Sequence, residues 1–120
     1  MSEAPATPHE AMKAGWDFSR QIDDLLIEYE SAMSDLSAKE NTYNFKEAEL
    51  TLQSPEGTVQ YKKAWVANES RVQFDEFNTA DKKAAALKVL LEGRKQQLSF
   101  AMTAISFLKA EWEQARRGNA

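Results

Sequence analysis

Ser54-Pro55-Glu56-Gly57-Thr58 is the one clear interruption in an otherwise helix-compatible sequence, and its reading decides the fold. The residue before a proline avoids helical backbone geometry. Gly57 is free to take a left-handed turn, and Ser54 or Thr58 can cap the helix that follows. A connection this short makes its flanking helices antiparallel neighbours. Nothing like it recurs, since Pro5 and Pro8 lie near the N-terminus and Glu56 to Ala120 contains no proline. The expected fold is all-α, a long antiparallel helical hairpin of coiled-coil-like character with its turn at 54–58.

On the N-terminal side of the turn, Ile22, Leu25, Leu26, Tyr29, Ala32, Met33, Leu36, Tyr43 and Leu50 recur at three- and four-residue steps. That spacing predicts one apolar stripe of a helix over about 17–53. Lys39, Glu40, Lys46 and Glu47 interrupt the stripe, and polar layers of this kind set register at a cost in stability. Residues 1–14, small and polar with two prolines, read as a flexible leader before a single helical domain over 15–117. On the C-terminal side, the arm 59–117 carries its clearest repeat at Leu87, Leu91, Arg94, Leu98, Ala101, Ile105, Leu108 and Trp112, alternating four- and three-residue steps. This is the expected seam toward a partner or a second copy, with Arg94 meeting an acid such as Glu40 or Glu47. The arm is either one helix or two, with Asn78-Thr79 before Asp81 as the candidate break and Phe77 stapling it. Gly93 within the repeat suggests a bend or a close backbone approach.

Trp65, Phe74, Phe77, Phe100, Phe107 and Trp112 do not fall on one stripe, and a helix apolar on several faces needs several neighbours. A homo-oligomer or an obligate protein partner is therefore expected; the alternative is a compact monomeric three-helix bundle. The net charge of −4 hides an asymmetry, −8 over residues 1–58 against +4 over 59–120. Either the halves complement one another or the second half meets an anion.

Several classes of function find no residues to support them. Cysteine is absent, which removes disulfides, thiolate metal sites and cysteine catalysis. His9 is the sole histidine, so neither a zinc site nor a Glu-x-x-His di-iron bundle can be assembled, and no metal or cofactor is expected. No glycine-rich phosphate loop occurs, and Asp23-Asp24 and Glu47-x-Glu49 point different ways on a helix. The expectation is a protein that is not an enzyme. With no apolar N-terminal run and no membrane-spanning stretch, it is expected to be cytoplasmic and without a membrane partner.

Binding chemistry is concentrated just past the turn. Tyr61-Lys62-Lys63-Ala64-Trp65, with Arg71 and Phe74, interleaves cations and aromatics. Single strands of nucleic acid are held by cations on phosphates and aromatic faces under bases. The competing reading buries Trp65 and Phe74 and leaves the lysines on the rim. A second basic cluster, Lys82, Lys83, Lys88, Arg94 and Lys95, reads as a solvated or salt-bridged helix face pairing with the acidic first arm.

The run Glu56-Gly57-Thr58-Val59, Lys62-Lys63-Ala64, Thr79-Ala80-Asp81-Lys82, Leu87-Lys88-Val89-Leu90-Leu91 and Leu98 through Leu108 resembles small all-helical bacteriophage proteins similar to the UvsY family of recombination mediators. The likeness covers residues 56–112. It implies a ring-like homo-oligomer that binds single-stranded DNA and helps load a RecA-type recombinase onto DNA coated by single-strand-binding protein, in the host cytoplasm if the chain is phage-encoded. The family's basic DNA-contacting residues precede the loop, where this chain reads Lys46-Glu47-Ala48-Glu49, so Lys46 alone carries over. Either the contacts have moved to Lys62, Lys63 and Arg71, or this chain binds DNA poorly.

Overall fold

A computed structural model describes residues 7–118, and among them it contains three α-helices and no strand: α1 (Pro8–Gln53), α2 (Val59–Glu69) and α3 (Arg71–Gly118). The fold is an all-α helical hairpin whose turn, at 54–58, falls where the sequence places it. Thr58 is the N-cap of α2, its Oγ1 accepting from the Tyr61 N–H at 3.1 Å. Ser54 turns back instead, donating to the Thr51 carbonyl at 3.0 Å. Gly57 is not left-handed, because no residue among those described has positive φ. Its small size matters for another reason: a Cβ there would lie 2.7 Å from Tyr61 Cδ1, so the tyrosine ring covers the glycine.

Two boundaries differ from expectation. First, α1 starts at Pro8, so 8–14 are helical and not a leader; residues 1–6 lie outside the described part. Proline suits the first helical position, where its missing N–H would have no partner in any case. Thr7 caps this start, its Oγ1 accepting from the Glu10 N–H at 3.2 Å. Second, the C-terminal arm breaks at Ser70 and runs unbroken through Asn78-Thr79. Ser70 takes φ −98° and ψ 10°, and its buried hydroxyl donates to the Val66 carbonyl at 2.7 Å. Side-chain bonding of serine to the preceding turn bends helices in this way.

The chain forms two compact units, to both of which α1 and α3 contribute. In the unit spanning Glu28–Lys88, Ala32, Leu50, Val66, Ala80, Ala84 and Leu87 are buried. Tyr43 sits between two aromatic neighbours there, edge-on to Phe74 with centroids 5.6 Å apart and stacked on Phe77 at 5.9 Å. Such pairs contribute about 0.5–1.5 kcal/mol beyond their buried area. Phe77 is thus a packing residue inside α3 and staples no helix start. Lys39 Nζ approaches Glu76 Oε2 at 3.7 Å, an exposed contact of little energetic weight.

In the other unit, built from residues up to Ile27 and from Val89 onward, Ala11, Ile22, Leu91 and Ala101 are buried. Gly15 of α1 faces Leu98, Ala101 and Ile105 of α3. The residues expected to form an intermolecular seam therefore pack within the hairpin. Trp112 departs from them, with 54% of its surface exposed. Arg94 meets neither Glu40 nor Glu47; its Nη1 donates to Gln97 Oε1 on its own helix at 2.7 Å.

Along α1, and along the C-terminal arm from α2 into α3, covered positions recur at strictly alternating steps of three and four residues. Ala11, Gly15, Phe18, Ile22, Leu25, Tyr29, Ala32, Leu36, Lys39, Tyr43, Lys46 and Leu50 are all buried or half-buried. So are Val66, Ser70, Gln73, Phe77, Ala80, Ala84, Leu87, Leu91, Arg94, Leu98, Ala101, Ile105 and Leu108. Within each unit this is the heptad spacing of helices that pack side by side. The polar members occupy seam positions rather than the outer faces. Among them the Gln73 Oε1 is buried without a hydrogen-bond partner.

Candidate nucleic-acid interface

The C-terminal end of α1, the turn and α2 enclose an open groove of about 620 Å³. One wall is α1, with Tyr43, Glu47 and Thr51 at four-residue steps on one face; the other is α2, with Lys62, Lys63 and Val66. At 100° per residue, Lys62 and Lys63 flank the direction of the buried Val66. Both are exposed, and neither makes an ion pair among the described residues, where the salt bridges are Arg20–Asp17 and Lys39–Glu76. The groove is not uniformly cationic. Glu47 accepts a hydrogen bond from the Tyr43 hydroxyl. This bond, reinforced by burial and by the carboxylate charge, pushes the Tyr43 pKa above that of an ordinary phenol.

The other expected contacts lie elsewhere. Tyr61 and Trp65, four apart, share a different face of α2 and do not line the groove. Tyr61 is 52% exposed over Gly57, and Trp65 is half-buried. Arg71, exposed at the start of α3, and Lys46, half-buried at a seam position of α1, are also outside the lining. Lysines and aromatics therefore present adjacent faces of one short helix and not a single surface. Sequence reading missed the Tyr43–Glu47 pair, although their spacing of four residues was a usable signal.

In the second basic cluster Lys82, Lys83, Lys88 and Lys95 are exposed and make no ion pair among the described residues. Lys83 borders a shallow hollow together with Asp35, Asp75 and Glu76. Among the described residues no group of side chains is arranged to hold a metal ion, and no helix is long and apolar enough to cross a membrane. No protein-family model, curated protein or solved structure matches this chain.

Proposed function

We propose that this chain is a non-enzymatic, self-associating helical protein that binds single-stranded DNA through the cationic side of α2 and assists a RecA-like recombinase. The observation that carries the reading is the pair Lys62 and Lys63, exposed and without ion-pair partners on the wall of a groove beside the turn. Two uncommitted ammonium groups on a concave surface suit a phosphate backbone, and the exposed ring of Tyr61 on the neighbouring face is available to a base. The recombinase, the single-strand-binding protein and a cytoplasmic place of action come from the resemblance of residues 56–112.

The test is fluorescence anisotropy of a labelled single-stranded oligonucleotide at several salt concentrations, with duplex as control. The expected binding favours single strands and weakens as salt rises. Lys62→Glu/Lys63→Glu should then reduce the logarithmic salt slope by about 1.4, the loss of two phosphate contacts at about 0.7 each. An unchanged affinity and slope in the double variant would remove the site. A second reading, a protein-only helical adaptor, inhibitor or assembly chaperone, is favoured by Glu47, which places a carboxylate among the lysines. Absence of DNA binding even at low salt would select it.

A further inference from the structure

We infer that the outer face of α3 from Val89 to Ala110 is a self-complementary contact for a second copy of this chain, the two α3 helices crossing antiparallel about a twofold axis at Phe100. This deepens the self-association in the reading above and does not depend on DNA binding. From Gln96 to Leu108, no residue of α3 carries a charge. A helix apolar on more than one face ordinarily packs against more than one neighbour. Here only one side is covered, by α1 through Gly15. On the far side Phe100 and Phe107 stand 77% and 62% exposed, with Val89 and Leu90 also open.

Gly93 supplies the second observation. It lies in the interior of α3, where glycine is a poor helix former, yet a Cβ added to it would meet nothing within 4 Å. Nothing within the chain explains its small size. It lines a surface hollow of about 320 Å³ together with Leu90, Arg94, Gln97 and Phe100. Gly93 and Phe107 are each seven residues, two helical turns, from Phe100, so the hollow, the centre and the knob lie in one line.

An isologous contact requires that residue i meet j while j meets i. Antiparallel copies related at Phe100 satisfy this in one arrangement. Phe100 meets its counterpart, and each Phe107 enters the other copy's Gly93 hollow. Leu90 then lies opposite Ala110, and Gln97 opposite Thr103.

The absence of charge selects the occupant. Over 96–108 a second copy brings an equally uncharged strip, with Glu92, Arg94, Lys95 and Lys109 outside it, whereas an acidic or basic partner would set an unpaired ion against that strip. The two phenylalanines alone offer on the order of 250 Å² of apolar surface. That is about a third of the roughly 800 Å² each partner of a stable interface buries. The flanking positions of the strip extend it.

The experiment uses the full chain in sedimentation equilibrium over a range of concentrations. Wild type should self-associate, and Phe100→Glu and Gly93→Leu should each weaken association about thirtyfold or more while keeping helical circular dichroism. The cysteine-free background permits a register test. Phe100→Cys should cross-link with itself on mild oxidation, whereas Gly93→Cys and Phe107→Cys should cross-link only when mixed. A wild type that stays monomeric, association unaffected by both substitutions, or a Gly93→Cys homodisulfide would overturn the inference. Loss of DNA binding by Lys62→Glu/Lys63→Glu with association intact leaves it standing, so the two readings fail separately.

Discussion

Replacing Gly15 by alanine should stabilise this protein, and the size of the gain follows from three distances. A Cβ at Gly15 would lie 3.8 Å from Ile105 Cδ1, 3.9 Å from Ala101 Cβ and 3.9 Å from Leu98 Cδ1. These are ordinary van der Waals separations, so the methyl fits without displacing its neighbours. The backbone there has no positive φ, and alanine adopts it freely. Alanine in place of glycine inside a helix contributes about 1 kcal/mol, and burying the added methyl contributes about 0.8 kcal/mol more. The sum, about 1.8 kcal/mol, corresponds to a rise of about 7 °C in Tm at about 4 °C per kcal/mol for a chain of this size. Urea unfolding followed by far-UV circular dichroism should show a higher midpoint at unchanged slope.

Gly93→Ala is the matched control. Below the concentration of self-association it should gain only the propensity contribution of about 1 kcal/mol, because nothing surrounds the new methyl. The difference between the variants isolates the contact with α3. A neutral or destabilising Gly15→Ala would show that α1 and α3 approach more closely at this level than the distances state, and would refute the seam assignment there.

Further outcomes follow from the turn, the seam and the groove. Thr58→Ala removes the cap accepting from Tyr61 and should cost about 1 kcal/mol, read as a lower urea midpoint. Arg94→Leu replaces a seam residue whose hydrogen bond is only to its own helix; it should stabilise by about 1 kcal/mol, and a marked loss would reveal an acidic partner. The raised pKa of Tyr43 means the folded state holds the phenolic proton more tightly than the unfolded chain. Its contribution is full below the ordinary value of about 10 and is lost as pH rises through the higher folded value. In a tyrosinate absorbance titration Tyr43 should ionise above the ordinary phenol range, and Glu47→Ala should lower its pKa.

The hairpin was legible in the sequence because its turn concentrates proline and glycine in five residues, and because α1 keeps its apolar spacing through two polar layers. The start of α1 was hidden by Pro8, which reads as a breaker but here occupies the first helical position after Thr7. The Thr7-Pro8-His9-Glu10 pattern is itself a helix-start signature. The break at Ser70 left no mark, because serine neither forbids helix nor disturbs the spacing from Val66 through Ser70 to Gln73. Asn78-Thr79 drew attention by composition, but Ala80 beside it is buried in the seam and holds α3 together.

The groove was half legible. The lysines were visible as a cluster, but a linear run of cations and aromatics does not state which side of α2 each will occupy. That depends on Val66, which fixes the rotation of the helix by being its buried residue. Once Val66 faces inward, Lys62 and Lys63 border the groove, while Tyr61 and Trp65 are carried off it.

The uninterrupted seam also limits how this chain can change in length. One residue gained or lost between Val66 and Gln73 would rotate everything C-terminal to it by about 100°. That would carry Leu87, Leu91, Ala101 and Ile105 out of the seam together: a loss would bring in Lys88, Lys95, Ser99 and Ser106, and a gain would turn Gly93, Gln97, Phe100 and Phe107 inward. A change of seven residues restores the phase. The long helices can therefore lengthen or shorten only in whole heptads, and drift by single residues is confined to the turn at 54–58, where nothing downstream must stay in step with α1 by spacing alone.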